Sequence, residues 1–212
     1  MPLTILVTGF GPFPTAPFNP TEPLVSRLAH IRRPALADVR LVPHVFATSY
    51  EAVDRELPRL VARYAPDAIL MFGLAARRPA LSIETRARNA VSALLPDAAR
   101  GFAAGRTILR GGPAARSFSP WCRHLPPALR ATRVPVYLSR DAGRYVCNYL
   151  CWRALEATMR PRGPLAAFVH VPKIARGPHP DRHRRSLTAD DLARAGAALL
   201  IAVAAEARRA PR

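Results

Sequence analysis

Three side chains in this 212-residue sequence could between them cut an acyl bond. Cys147 closes the run Asp141-Ala-Gly-Arg-Tyr-Val-Cys147, in which a strand ends near Ser139, Gly143 permits a tight turn and a helix begins at or just after the cysteine. A thiol placed there meets the free N–H groups and the positive dipole end of a helix, which lower its pKa and favour thiolate. The same N–H groups can hold the oxyanion of a tetrahedral intermediate, so the segment reads as a nucleophile elbow built around Cys in place of Ser. A buried, inert cysteine accounts for the same residues, because free Cys is among the most buried residue types. Cys151, one turn further on, and Cys122, beside Trp121, fit that quieter role.

His170 interrupts the apolar run Phe168-Val-His170-Val, just before Pro172 ends it. The carboxyl ends of strands are where α/β folds present ligands and catalytic groups. An imidazole at such an end could take the thiol proton and return it to a leaving amine; a satisfied structural histidine explains the pattern equally well. Glu84, in Leu81-Ser-Ile-Glu84-Thr-Arg-Ala-Arg-Asn89, could orient and charge-stabilise that imidazole. It could as simply pair with Arg86 or Arg88, and spacing alone does not select it.

Other patterns carry less. Gly9-Phe-Gly11 follows a strand, but the third glycine of a dinucleotide fingerprint is replaced by Pro14. His179-x3-His183, with Asp181 between, has metal-like spacing but sits among arginines and prolines with no third partner in view. The spacing Cys122…Cys147-x3-Cys151 matches no zinc pattern, and three cysteines make no disulfide framework. Neither a metal nor a cofactor is expected.

The elements that must position these residues are legible in the periodicity. Apolar, β-rich runs occur at 3–8, 39–46, 68–72, 134–138 and 165–171. Helical patterns lie at 49–64, with Ser49 as cap and Pro58 expected to kink or shorten it, at 147–159, and at 189–209 behind the capping-box sequence Thr188-x-x-Asp191. Alternating strands and helices without a composition break imply one domain spanning residues 1–212: a three-layer α/β/α sandwich around a twisted, mostly parallel sheet. Half the residues are apolar and none of the runs reaches the roughly 18 residues a membrane helix needs. The opening Met1-Pro-Leu-Thr carries no basic leader, and free thiols suit a reducing compartment, so a cytoplasmic protein is expected. The net charge of +18 raises nucleic acid as a partner. Lys173 is the only lysine, however, and the arginines are scattered and accompanied by abundant Ala and Pro. That is the mark of a biased coding composition rather than of a phosphate-binding surface.

Taken in order, the motifs resemble those of pyroglutamyl peptidase I (pyrrolidone-carboxylate peptidase), a family of intracellular cysteine peptidases with an α/β fold. The matches are Thr8-Gly-Phe-Gly-Pro-Phe13 with Asn19-Pro20, Phe72-Gly-Leu-Ala75, Ile83-Glu-Thr-Arg-Ala-Arg-Asn89, Gly111-Gly-Pro-Ala-Ala115, Ser139-x-x-Ala-Gly-x-Tyr-Val-Cys-Asn148 and Phe168-Val-His-Val-Pro172. The resemblance implies a Cys147–His170–Glu84 triad and a substrate carrying N-terminal pyroglutamate. It also implies an apolar slot for the lactam ring, with Phe10, Phe13, Asn19, Leu74, Tyr145 and Val146 as substrate-binding residues. A ring without charge must be recognised largely by stacking and shape. The family commonly forms tetramers.

The departures fall on the pocket. Leu74 stands where the family usually has Gln, Arg77-Arg78 where it usually has Gly-Arg, Tyr145 where it usually has Phe, and Leu94 where it commonly has Arg. Loss of a hydrogen bond to a substrate amide, about 0.5–1.5 kcal/mol, would weaken or redirect activity without touching the triad. A divergent member with altered acyl-amide specificity is therefore the second reading, and a basic nucleic-acid-binding protein the third.

Overall fold

The computed structural model describes residues 2–103, 105–175 and 187–210. Its centre is a six-stranded sheet in the order β2-β1-β3-β8-β4-β7. The strands are β1 (Leu3–Phe10), β2 (Val39–Phe46), β3 (Ala68–Leu74), β4 (Leu81–Glu84), β7 (Val136–Ser139) and β8 (Leu165–Val171). β5 (Arg86–Arg88) and β6 (Ala115–Ser117) form a separate antiparallel pair. The three central strands β1, β3 and β8 are parallel, as is β2 at one edge. β4 runs antiparallel to β8 and carries β7 parallel beside it. All eight residues of β1 are buried, as are the first six of β3 and the last six of β8. Such near-continuous apolar strands belong to a sheet covered on both faces.

The covering helices are α1 (Thr21–Ala29) and α5 (Ala189–Arg209) packed together, and α2 (Tyr50–Tyr64) packed on α4 (Val146–Thr158). A short α3 (Leu125–Ala128) lies against α5. The three-layer sandwich expected from the sequence is the observed architecture. Two helix starts were written locally: Ser49 Oγ accepts from the Ala52 N–H at 3.2 Å, and Thr188 and Asp191 form a reciprocal capping box. Pro58 does not shorten α2, which continues to Tyr64. The proline lies on the exposed face, where water can satisfy the carbonyl it leaves free, while Val53 and Leu57 hold the opposite face in the core.

Three strands escaped the sequence reading, because β4, β5 and β6 have only 4, 3 and 3 residues. The helix α1 escaped too, following a segment that reads as a Pro-rich loop. Among the described residues no helix is long and apolar enough to cross a membrane.

Candidate active site

Side chains alternate between the faces of a sheet, and residues paired across neighbouring strands share a face. Gly73 on β3 pairs with His170 on β8, and His170 pairs in turn with Ser82 on β4. Two residues along from His170 and Ser82 lie Phe168 and Glu84, on that same face. His170 Nδ1 donates to Glu84 Oε1 at 2.7 Å, and the Phe168 ring meets the imidazole edge-on at 4.9 Å. The histidine and the glutamate are both buried.

Cys147 reaches this face from α4. Its Sγ lies 2.8 Å from the point where a side chain on Gly73 would begin, so the thiol sits over the strand position whose partner is His170. The elbow leading to it is a real turn: Gly143 adopts φ +82°, in the left-handed region that favours glycine. Asp141 Oδ1 accepts from the Gly143 N–H at 3.0 Å. The helix starts at Val146, one residue before the cysteine, and Tyr149 is the first residue of the turn to bond back, to Tyr145 O at 3.1 Å. The N–H groups of Val146, Cys147 and Asn148 therefore precede the first donor of the helical ladder, the Tyr149 N–H.

The charges settle differently from the sequence expectation of a thiolate. Burial pushes the Cys147 thiol up to about 12; the Glu84 charge adds to this, against the downward pull of Arg78 and of the residue's own backbone N–H. Cys147 keeps partial access to solvent, but the helix terminus does not outweigh its enclosure. Burial also lowers the proton affinity of His170, although Glu84 draws it upward. For Glu84 burial acts to raise the pKa, yet the hydrogen bond and charge of His170, with Ser139 and Arg78, hold it below the usual carboxylate range. At neutral pH the resting site thus holds a thiol, a neutral imidazole with its proton on Nδ1, and an ionised carboxylate. Cys122 and Cys151 are buried, with the Cys122 thiol at about 12 and that of Cys151 well above its ordinary value, as suits core thiols.

The residues expected to bind substrate divide into two groups. Phe13, Leu74 and Tyr145 are half-buried, and the rings of Phe13 and Tyr145 stand 6.1 Å apart. Phe10, Asn19 and Val146 are fully buried. Phe10 packs on Phe46, while Asn19 donates to Gly11 O at 3.1 Å and accepts from the Thr21 hydroxyl, which pins the loop after β1. Leu94 is 88% exposed on the loop after β5. The segment holding His179, Asp181 and His183 lies outside the described residues.

Three residues gained no role from the sequence yet hold the site together. Gly73 is needed because a β-carbon there would meet Cys147 Sγ and, at 2.6 Å, the Phe168 ring. Asn148, next to Cys147, accepts from Arg88 N and donates to Arg88 O and Ala90 O, all at 2.9 Å, tying α4 to β5. Arg78 donates to Glu84 Oε1 at 2.6 Å. Gly73 and Asn148 stand inside motifs quoted above, so the signal was present without its geometric meaning. Arg78 was named only within the Arg77-Arg78 pair that stands in place of the family's usual Gly-Arg, which gave no sign of its contact with Glu84.

A family model described as pyroglutamyl peptidase matches residues 3–208. The pyrrolidone-carboxylate peptidase of Pyrococcus furiosus is 33% identical over 174 residues, covering 81% of this chain and 82% of that protein. Pyrrolidone-carboxylate peptidase 1 of Ralstonia nicotianae is 34% identical over 177 residues, covering 81% and 79%. The crystal structure of pyroglutamyl peptidase I from Bacillus amyloliquefaciens superimposes with a TM-score of 0.83 at 26% identity, covering 96% of each chain.

Proposed function

The chain belongs to the pyroglutamyl peptidase family, and on that premise we propose that it is a cysteine exopeptidase removing N-terminal pyroglutamate from peptides and amides, with Cys147 as nucleophile, His170 as base and Glu84 as the group that orients the base. The observation that supports this most is the meeting of Cys147 Sγ with the strand position paired to His170, whose Nδ1 is already committed to Glu84.

In this mechanism the neutral Nε2 of His170 takes the thiol proton as sulfur attacks the carbonyl joining the lactam to the next residue. The carbon–sulfur bond forms while the carbonyl π electrons move onto oxygen. First-turn N–H groups of α4 receive that oxyanion. The imidazolium, steadied by the Glu84 carboxylate, then protonates the departing amine as the carbon–nitrogen bond breaks, leaving a thioester. Water, deprotonated by His170, attacks the thioester and releases pyroglutamate and the thiol. A neutral resting pair suits this sequence, because the proton moves only when an electrophile is present.

The lactam ring would lie between Phe13 and Tyr145, with Leu74 on the β3 side; Phe10, Asn19 and Val146 would support that wall from behind. The high charge belongs to the surface rather than to this slot. Exposed Leu94, Leu95, Phe102 and Leu109, on the segment between β5 and β6, offer apolar surface for the homo-oligomer implied by the resemblance. A reducing cytoplasm would keep Cys147 active.

The test is release of a fluorogenic amine from a pyroglutamyl conjugate, beside the same conjugate of proline and a Cys147→Ala control. Turnover of the pyroglutamyl substrate alone, abolished in the variant and by iodoacetamide, is expected. Turnover surviving Cys147→Ala would overturn the mechanism, and none by the intact chain would overturn the substrate.

A further inference from the structure

Arg78 lies four residues beyond β3 and is no member of the Cys–His–Glu set, yet its guanidinium touches both β4, which carries Glu84, and the turn that leads to Cys147. Nη1 donates to Glu84 Oε1 at 2.6 Å and to the Ser82 hydroxyl, and Nη2 donates to the backbone carbonyl of Asp141. We propose that Arg78 is a positioning residue of this active site, whose one guanidinium fork fixes the Glu84 carboxylate against His170 and locks it in register with the elbow that delivers Cys147. The inference rests on the triad reading above.

Each contact has a geometric consequence. Glu84 Oε1 is the oxygen that also accepts from His170 Nδ1, so the carboxylate is held by two charge-assisted or polar donors from opposite partners and cannot rotate away from the imidazole without losing both. Ser82 is the Cα partner of His170 across β4–β8, so the same guanidinium end also braces the strand beside the base. Asp141 opens the turn that reaches Cys147 six residues later, and that turn is already tied down by Asp141 N on Ser139 Oγ at 3.1 Å and Gly143 N on Asp141 Oδ1 at 3.0 Å. Fixing its carbonyl to the same fork as Glu84 therefore sets the height of the elbow relative to the acid.

Only a planar fork can hold these acceptors at once; an ammonium offers a single point charge on a flexible stem. The Arg78 side chain is 23% exposed, so its bonds are made largely out of bulk water, where they are stronger. The cation also opposes proton uptake at His170 and favours ionisation of Cys147, which keeps the carboxylate from turning the base into a resting imidazolium.

The experiment compares intact protein with Arg78→Gln and Arg78→Lys, measuring across pH both kcat/KM on the pyroglutamyl conjugate and the rate of Cys147 alkylation by iodoacetamide. Arg78→Gln is expected to lower plateau activity by about 10- to 100-fold and to move the acid limb of both profiles upward by roughly one pH unit, as a neighbouring charge typically does. Arg78→Lys is expected to keep the limb but lose about tenfold at the plateau, as the charge survives and the fork does not. An unmoved limb in folded Arg78→Gln overturns the proposal, because loss of a merely structural contact would lower activity without shifting it. If Arg78→Gln does not fold by circular dichroism, Arg78→Lys decides: native plateau activity overturns the proposal, and the tenfold loss with a native limb supports it. Alkylation needs no substrate, so a chain that ignores pyroglutamyl conjugates while its alkylation limb shifts would sink the substrate assignment and leave the role of Arg78 standing.

Discussion

The thiol of Cys147 occupies the space a side chain on Gly73 would take: Sγ lies 2.8 Å from where a β-carbon on Gly73 would stand. The place of the thiol is thus set by the missing side chain of a strand residue 74 positions earlier. Because Gly73 pairs with His170, the same glycine aligns thiol and imidazole on one face of the sheet.

Gly73→Ala is therefore expected to be severe. The methyl group would need the space of Cys147 Sγ and of the Phe168 ring, which packs edge-on against His170. Overpacking of this kind costs about 1–3 kcal/mol, and a displacement of about 1 Å at a reacting atom lowers rates by roughly 100-fold. Urea unfolding with kcat measured on the folded fraction separates the two losses; native kcat would refute the contact's importance.

The pH–rate profile follows from the neutral resting pair. His170 must be unprotonated to act as base, and its proton affinity is below the ordinary value, so the acid limb of kcat/KM should lie below pH 6.5. With the thiol at about 12, activity should show no alkaline rise near pH 8–9 of the kind a free cysteine gives. In His170→Ala, residual alkylation of Cys147 should instead climb steadily above pH 9.

Stability should fall on acidification in two successive windows. The unfolded chain takes up a proton at His170 before the native state does, so the native state loses stability as pH drops below 6.5. Glu84 is lowered from 4.5, so its contribution is present above that value and is lost as pH falls through its folded value. Thermal unfolding from pH 7.5 to 4 checks both. His170→Asn should remove the upper part of the slope, and an unchanged slope would count against a buried neutral imidazole.

Leu74→Gln restores the polar residue usual in the family at the end of β3, half-buried beside Gly73. One added hydrogen bond to the lactam amide, about 0.5–1.5 kcal/mol, should raise kcat/KM on pyroglutamyl conjugates by up to about tenfold. A fall on that substrate would mean that the pocket of this chain is shaped for another acyl group.

Asp97→Ala should loosen the loop beside the site. The buried carboxylate accepts from Ala99 N, Gly101 N and, at 3.1 Å, Tyr50 N at the start of α2, while Pro96 O accepts from the Tyr145 hydroxyl at 2.9 Å. Removing an acceptor from three backbone donors should cost about 2–3 kcal/mol in chemical denaturation.

Much of the layout was legible because it is written in short-range terms. Strands 39–46 and 165–171 and the helix behind Thr188 show their boundaries in apolar runs and caps that neighbouring residues decide among themselves. The elements that stayed hidden are those whose existence depends on distant partners. β4 has four residues and owes its place to β8 and β7; α1 lies against β1 and α5 and follows a Pro-rich segment. For the same reason Glu84 could not be chosen over an ordinary arginine partner from its own surroundings.

The sequence by itself determined which residues could react, that a turn and a helix start at Cys147, and the layered α/β order that puts strand ends beside loops. Only the tertiary structure decided that the imidazole pairs with Glu84 across 86 residues, that Gly73 makes room for sulfur, and that Arg78 reaches 63 residues to the elbow. It also decided the protonation of the resting site, reversing the thiolate that a helix terminus alone suggests. Local rules report dihedral preference and periodicity, whereas burial and the sharing of one carboxylate oxygen between two donors arise only when separate strands are brought side by side.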